Sequence, residues 1–146
     1  MRLCTDEDNV VQYWNNIDNV LELDMDVLDD LAGEAEEVCE NNPWLTYGEP
    51  LHRLREFGIP AKEIDLLDEQ KLTLDQVRTF AAMLFGGRPD DYPHPDVTSR
   101  KAYIQALEDQ LKKTSNTWDP IRKRAAPWIN VRKLPAGGKG GDCTVC

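Results

Sequence analysis

Hydrophobic side chains recur at steps of three and four residues along most of this chain, which is the spacing of one face of an α-helix. The clearest pattern predicts a helix with an apolar stripe of Val27, Leu28, Leu31, Ala35, Val38 and Cys39. Asp24 or Asp26 is the expected N-cap of this helix. Asn41-Asn42-Pro43 is its expected end, because proline cannot continue a helix.

Start and stop signals divide much of the remaining chain into further helices. Pro50 and Pro60 each stand at an expected first helical position. Thr73 and Gln76 form a predicted capping box, and Gly86-Gly87 ends the helix that follows it. The other predicted helices are one capped by Thr5 or Asp6 with apolar residues to Leu21, one capped by Asp96 or Thr98 and ending at Lys112-Lys113, and a short one from Pro120 to Ala126.

The predicted architecture is an all-α fold, a single irregular domain of five to six helices. The domain is expected over residues 1–134, followed by a flexible, Gly-rich C-terminal tail over residues 135–146 that contains four glycines. The Pro-rich loop at residues 88–95 is the candidate internal boundary. Residues 128–132 are predicted to form a short strand or an extended segment.

Composition is that of a folded protein outside the membrane. Of 146 residues, 40% are hydrophobic and 30% are charged, which is too apolar for a disordered chain and too charged for a membrane protein. No apolar run approaches the ~18–20 residues that span a bilayer, and the first residues lack the apolar stretch of a secretory signal. We therefore expect a cytoplasmic location, in the protein's own cell or in a host cell.

The formal charge changes sign along the chain. It is −13 over residues 1–50, −2 over residues 51–100 and +5 over residues 101–146, for a net charge of −10. Such a gradient bears on partners rather than on fold. It favours a protein that docks on a charged partner over one that converts a small molecule.

The predicted partner-binding surface is an acidic face on and before the helix with the clearest stripe. Its members are carboxylates that the apolar stripe should leave in solvent, namely Asp24, Asp26, Asp29, Asp30, Glu34, Glu36, Glu37 and Glu40. Such a helical surface imitates a phosphate backbone and suits a protein partner with a basic, nucleic-acid-binding surface. The alternative is a solvated face that only confers solubility.

A basic and aromatic C-terminal surface is the second candidate contact. Its predicted members are Trp118, Arg122, Lys123, Arg124, Trp128, Arg132 and Lys133. Arginine, lysine and tryptophan can contact phosphates and stack on bases. The acidity of the first third of the chain repels a polyanion, so no direct binding of nucleic acid is expected.

No catalytic, cofactor or metal site is predicted. Neither His52 nor His94 lies in a recognisable nucleophile motif. Asp24-Met25-Asp26 has the spacing of a metal-binding pair, but helix capping already explains these carboxylates, and a calcium loop would need a glycine at Asp29. The glycines at residues 137–141 lack the order of a phosphate loop.

Two cysteines at the C-terminal end are a possible thiol or lipidation site. Cys143 and Cys146 have the spacing of half a zinc site, without a second pair elsewhere. They also resemble a prenylation box, from which Thr144 and the terminal Cys146 depart. Membrane attachment is expected only if Cys143 is lipidated, with the upstream basic residues as the second signal. The alternative is an unmodified tail.

The favoured interpretation is a non-catalytic protein-interaction module, an acidic inhibitor or adaptor that docks on a basic partner. A phage- or pathogen-encoded inhibitor would have this composition. The alternative is a structural or assembly component of a larger complex such as a virus particle, in which the chain packs beside copies of itself and neighbouring subunits order the tail. A small enzyme with an unrecognised site is the least favoured hypothesis.

Overall fold

Most of the residues that this computed structural model describes are helical. The described residues are 7–21, 28, 30–95 and 99–136. Within them the helices are α1 (Asp8–Leu21), α2 (Leu31–Asn41), α3 (Glu49–Glu56), α4 (Lys62–Glu69), α5 (Leu74–Phe85) and α6 (Arg100–Leu111), and the strands are β1 (Thr117–Asp119) and β2 (Arg124–Ala126). The predicted dominance of helices is confirmed, and the small sheet was not predicted.

Helix α2 begins later than its predicted caps. Asp30 is the N-cap, and its carboxylate accepts hydrogen bonds from the backbone N–H groups of Ala32 and Gly33 at 2.7 and 2.8 Å. Asp30 has the extended backbone that a cap requires, so its oxygen reaches N–H groups that lack an intrahelical acceptor. The prediction of Asp24 or Asp26 as the cap is therefore wrong, and both residues lie outside the described ranges.

The end of α2 is held by one buried amide side chain. Asn42 is fully buried, and its Nδ2 donates to the backbone oxygens of Leu67 and Gln70 at 2.7 and 2.8 Å. Its Oδ1 accepts from Trp44 Nε1 at 3.1 Å and from Leu72 N at 3.0 Å. Asn42 therefore joins α2 to the last turn of α4 and to the segment that follows it, as well as ending the helix.

Helix α5 has the boundaries that the sequence predicts. Thr73 Oγ1 accepts a hydrogen bond from Gln76 N at 3.3 Å, and Gln76 Oε1 accepts one from Thr73 N at 2.8 Å. This reciprocal pair is the predicted capping box. Gly86 ends the helix in a left-handed conformation, with φ of +75°, which glycine adopts without steric cost.

The core lies between α2, α3, α4, α5 and α6 and combines apolar stripes of these helices with side chains from the segments between and after them. Trp44 adds an edge-to-face contact with Phe80, with ring centroids 5.7 Å apart. The least exposed core side chains include Val38, Leu51, Ile64, Leu67, Val77, Phe80, Tyr103, Leu107 and Ile129. None of the described helices has the length and apolarity needed to cross a bilayer.

Residues 120–126 form the turn and second strand of a hairpin, not the predicted short helix. β1 and β2 pair antiparallel, with Trp118 opposite Ala125. The Asp119 carboxylate accepts from the backbone N–H groups of Ile121 and Arg122 at 3.0 and 2.9 Å. An aspartate before a proline starts a turn as readily as a helix, and here the turn bonds are the ones made.

The segment after the hairpin is extended, as one of the two predicted forms requires. Ile129 makes an isolated antiparallel bridge with Leu45. Thr46 N donates to the Trp128 oxygen at 2.9 Å, and Asn130 N donates to the Trp44 oxygen at 2.7 Å. The prediction is wrong for its last two residues, Val131 and Arg132, because they lie in one turn of 3₁₀-helix at Val131–Lys133, where Asn130 Oδ1 accepts from Arg132 N at 3.1 Å. The bridge holds the C-terminal part of the described chain against the loop between α2 and α3.

The Pro-rich loop packs on α5. It contains one 3₁₀ turn at Pro89–Asp91, and Arg78 Nη1 donates to the Pro89 oxygen at 2.9 Å. Ser99, rather than the predicted Asp96 or Thr98, caps α6, and Ser99 Oγ accepts from the N–H group of Lys101 at 3.2 Å. Residues 96–98 lie outside the described ranges, as do residues 137–146, which make up most of the predicted tail.

Candidate functional site

The predicted acidic face is only partly described. Asp24, Asp26 and Asp29 lie outside the described residues, and Asp30 is the exposed cap of α2. On α2 itself three carboxylates are exposed and lie on one side of the helix at steps of one, three and four residues. We call them the outer α2 face: Glu36, Glu37 and Glu40.

Glu34 departs from this prediction because it is buried. Its side chain is 2% exposed, and Glu34 Oε2 lies 2.5 Å from Arg55 Nη1. Arg55, equally buried, also places Nη2 at 2.8 Å from Asp68 Oδ2. One guanidinium on α3 thus joins a carboxylate from α2 to one from α4. Glu34 therefore holds helices together and takes no part in an exposed surface.

Two more polar side chains complete this group, which we call the buried polar cluster: Glu34, Tyr47, His52, Arg55 and Asp68. The hydroxyl of Tyr47 lies 3.4 Å from His52 Nδ1, and both residues are buried. Burial raises the pKa of Tyr47 well above its ordinary value, so the phenol stays neutral. His52 is 2% exposed, so its imidazole is enclosed by the core rather than presented to solvent.

The second histidine has a different setting. His94 lies in the Pro-rich loop, and its Nε2 is 3.4 Å from Asp75 Oδ1 in the first turn of α5. This side chain is 35% exposed. The contact ties the loop to the start of α5. His52 therefore contacts Tyr47 in the core, and His94 contacts Asp75 at the surface.

A groove with basic walls lies where the C-terminal turn of α6 meets the hairpin and residues 127–132. We call it the basic groove. It encloses about 780 Å³, and its charged lining residues are Glu108, Lys112, Arg122, Arg124 and Arg132. Leu111, Ile129 and Val131 supply an aliphatic part of the lining. Three of the seven predicted members of the basic C-terminal surface therefore meet in one concave site.

The cations of the basic groove are not equivalent. Arg122 Nη1 lies 2.8 Å from Asp119 Oδ2, and Lys112 Nζ lies 2.9 Å from Asp109 Oδ1. The bond to Asp109 raises the pKa of the Lys112 ammonium. In the part of the chain that the structure describes, neither Arg124 nor Arg132 makes an ion pair. These two exposed arginines carry the uncompensated charge of the groove.

The remaining predicted residues of the basic C-terminal surface lie outside this groove. Trp118, whose residue is 55% exposed, and Trp128 line a neighbouring depression of about 600 Å³ beside Pro50. Trp128 Nε1 donates to the Ser115 oxygen at 2.9 Å. Lys123 and Lys133 line neither of these two depressions.

Sequence reasoning missed the contribution of α6 to the groove. Glu108 and Lys112 line it although they are more than ten positions from Arg124. The Lys112-Lys113 pair is readable from the sequence as a basic helix end, but nothing local indicates that this end faces the hairpin. Only the tertiary contact between elements brings these charges together.

Metal chemistry finds no support in the part of the chain that is described. Within it, no group of three or more Cys, His, Asp or Glu side chains has the geometry to hold a metal ion. Cys39 is a free, partly buried thiol on α2. Cys143 and Cys146 lie outside the described residues.

Comparisons with protein-family models, with curated proteins and with solved structures found no match to this chain. Its function is therefore inferred from its own residues.

Proposed function

We propose that this protein is a non-catalytic interaction module, an inhibitor or adaptor that docks on a basic protein partner through the outer α2 face. The observation that supports this most is the contrast within α2. Glu34 has its own buried cation, whereas Glu36 and Glu40 are exposed and make no ion pair with any described residue. The same helix thus separates a structural carboxylate from carboxylates available to a partner.

The physics of the exposed pair favours a basic partner. Glu36 and Glu40 are four residues apart, so like charges face each other across one helical turn and destabilise the helix by about 0.2–0.5 kcal/mol. A cationic surface would remove this repulsion. The exposed Asp65 and Glu69 on α4, which packs against α2, extend the negative field beyond one helix.

The outer α2 face is also held in a fixed orientation. Arg55 joins α2 to α3 and α4, and Asn42 ties the end of α2 to the backbone of the last turn of α4 and of the segment after it. A rigid face loses little conformational entropy on binding, which favours affinity. The buried groups therefore serve the interaction indirectly, by positioning the helix.

Affinity capture with two matched variants tests this proposal. The test variant is Glu36→Gln with Glu40→Gln, and the control variant is Asp8→Asn with Asp90→Asn, which removes two exposed carboxylates elsewhere. We expect partners held at low salt and released at high salt. These partners should be lost from the test variant and kept by the control variant. An identical set of partners on both variants would contradict the proposal.

Sedimentation velocity separates this function from the assembly alternative. A heterologous adaptor should sediment as a monomer over a wide range of its own concentration. Growth of larger species with concentration, reversed by salt and by the same test variant, would favour a component that assembles with copies of itself.

Lipidation of Cys143 is a separate proposal that the described residues do not bear on. Mass spectrometry of the protein purified from its native cell tests it directly. A mass increase of one prenyl group at the C-terminal peptide is the expected result, and an intact, unmodified Cys146 terminus would rule it out.

A further inference from the structure

The basic groove has the size and composition of a ligand site. Its volume of about 780 Å³ falls within the ~300–1,000 Å³ typical of such sites. Three separate elements form its walls: the last turn of α6, the hairpin, and the extended segment around Ile129. The walls combine cationic side chains with an aliphatic surface, so a suitable ligand carries both negative charge and apolar groups.

The arginines indicate how much negative charge the groove accepts. Asp119 and Asp109 already neutralise Arg122 and Lys112. Arg124 and Arg132 are exposed and make no ion pair among the described residues. A guanidinium binds a carboxylate through two parallel hydrogen bonds, so these two arginines suit a ligand with one or two carboxylates.

The rest of the lining suits a polypeptide. The partly exposed Leu111 and Val131 offer aliphatic contacts, and the amide side chains of Asn116 and Asn130 offer groups that can pair with a peptide backbone. An extended chain places alternate side chains on opposite sides, so carboxylates and aliphatic groups can face different walls.

Nucleic acid fits this groove less well. Among the described residues, Arg124 and Arg132 supply only two cations without an ion pair, and Glu108 is part of the lining, so the groove cannot match the continuous row of charges along a phosphate backbone. Base stacking needs aromatic platforms, but Trp118 and Trp128 line the neighbouring depression instead.

We propose that the basic groove binds an extended acidic segment of a partner protein, with Arg124 and Arg132 pairing with its carboxylates and the aliphatic lining contacting its apolar side chains. This site is distinct from the outer α2 face and has the opposite charge. An adaptor with both would hold a basic surface on one side and an acidic segment on another. The proposal stands whether or not the outer α2 face binds a partner.

Fluorescence anisotropy with defined probes tests this site on the full chain. The probe is a short labelled peptide with Glu at alternate positions and Val, Leu or Ser between them, and its control peptide has Gln in place of Glu. A labelled single-stranded oligothymidine is the third probe. The test variant is Arg124→Gln with Arg132→Gln. The control variant, Lys123→Gln with Lys133→Gln, removes the same charge beside the groove without altering its lining.

The expected result is binding of the Glu peptide that the test variant weakens by about tenfold or more at ~0.15 M salt and the control variant weakens by less than about threefold. A charge-preserving variant, Arg124→Lys with Arg132→Lys, should bind with intermediate affinity because lysine lacks the paired donors. Circular dichroism confirms that each variant is folded before its binding is measured.

Four outcomes would overturn the proposal. They are no measurable binding of the Glu peptide, equal binding of the Glu and Gln peptides, equal weakening by the test and control variants, and tighter binding of the oligothymidine than of the Glu peptide. Equal weakening would mean that the general positive field, not the groove, attracts the peptide.

Discussion

The buried polar cluster and the outer α2 face each take a glutamate from α2, two residues apart, but one glutamate is buried and the other is exposed. Glu34 is enclosed with Arg55 and Asp68, while Glu36 is exposed on the same helix. In sequence the two are identical residue types in one acidic run. A count of carboxylates along the sequence therefore overestimates the negative charge of the surface, because a carboxylate such as Glu34 can be buried in an ion pair.

The largest expected effect comes from removing the shared cation of the cluster. Arg55→Met leaves the buried carboxylate of Glu34 and the partly buried carboxylate of Asp68 without their shared cation, and we expect a loss of about 3–5 kcal/mol in the free energy of unfolding. Urea denaturation measures this loss. Arg53→Met on the same helix is the control, since Arg53 pairs with Glu49 at the surface and should change stability little. Equal losses in both variants would contradict a special role for Arg55.

Replacing Glu34 or Glu36 by glutamine distinguishes a carboxylate that stabilises the fold from one that binds a partner. Glu34→Gln weakens a charged, buried hydrogen bond, so we expect a loss of about 1–3 kcal/mol in stability. Glu36→Gln should leave stability unchanged and weaken capture of a basic partner. Chemical denaturation and affinity capture on the same two proteins measure both effects. If Glu36→Gln proved the more destabilising of the two, the comparison would fail.

The stability of the fold should fall at high pH because of buried phenols, of which Tyr47 and Tyr103 have the most strongly raised pKa values and Tyr92 is a third. Burial raises the pKa of Tyr47 and of Tyr103 above the ordinary value of 10.0. The folded state therefore keeps protons that the unfolded state loses. This stability is complete below pH 10 and declines as pH rises beyond it, by about 1.4 kcal/mol per pH unit for each tyrosine. Urea midpoints between pH ~8 and ~11 measure the decline, and Tyr47→Phe with Tyr103→Phe should reduce it to the smaller contribution of Tyr92.

The smallest expected effect concerns the start of α2. Asp30→Ala removes the acceptor for two backbone N–H groups and should cost about 1 kcal/mol. Asp30→Asn keeps an acceptor and should cost less, although both variants remove the charge. Thermal denaturation followed by circular dichroism compares them. Equal destabilisation by the two would indicate that charge, not capping, is the contribution of Asp30.

Several of these features were readable from the sequence. The capping box at Thr73 and the glycine end of α5 follow from local chemistry and are confirmed. Glu34 also left a signal that was missed: it is three residues after Leu31 and four before Val38, so it falls within the apolar stripe of α2. A carboxylate in such a stripe predicts a buried cation.

Other features could not be predicted from the sequence, because several residues compete for one role or because the contacting residues are far apart in the chain. Four aspartates between residues 24 and 30 can each cap a helix, and their composition does not select Asp30. Asp119-Pro120 starts either a turn or a helix, and hairpin pairing decides between them. The basic groove needs charges from α6 and from residues 122–132 to meet, which no local pattern encodes.

The bridge between Leu45 and Ile129 makes the basic groove depend on two distant parts of the chain. The two residues are far apart in sequence, so this contact carries a loop-closure cost that the local contacts within one helix do not. Non-local contacts of this kind slow folding. The arginines of the groove are present in a fragment that begins before residue 122, but Trp44 and Thr46 supply the backbone hydrogen bonds to Trp128 and Asn130 on either side of Ile129. A peptide ligand should therefore recognise the complete protein and not its isolated C-terminal third.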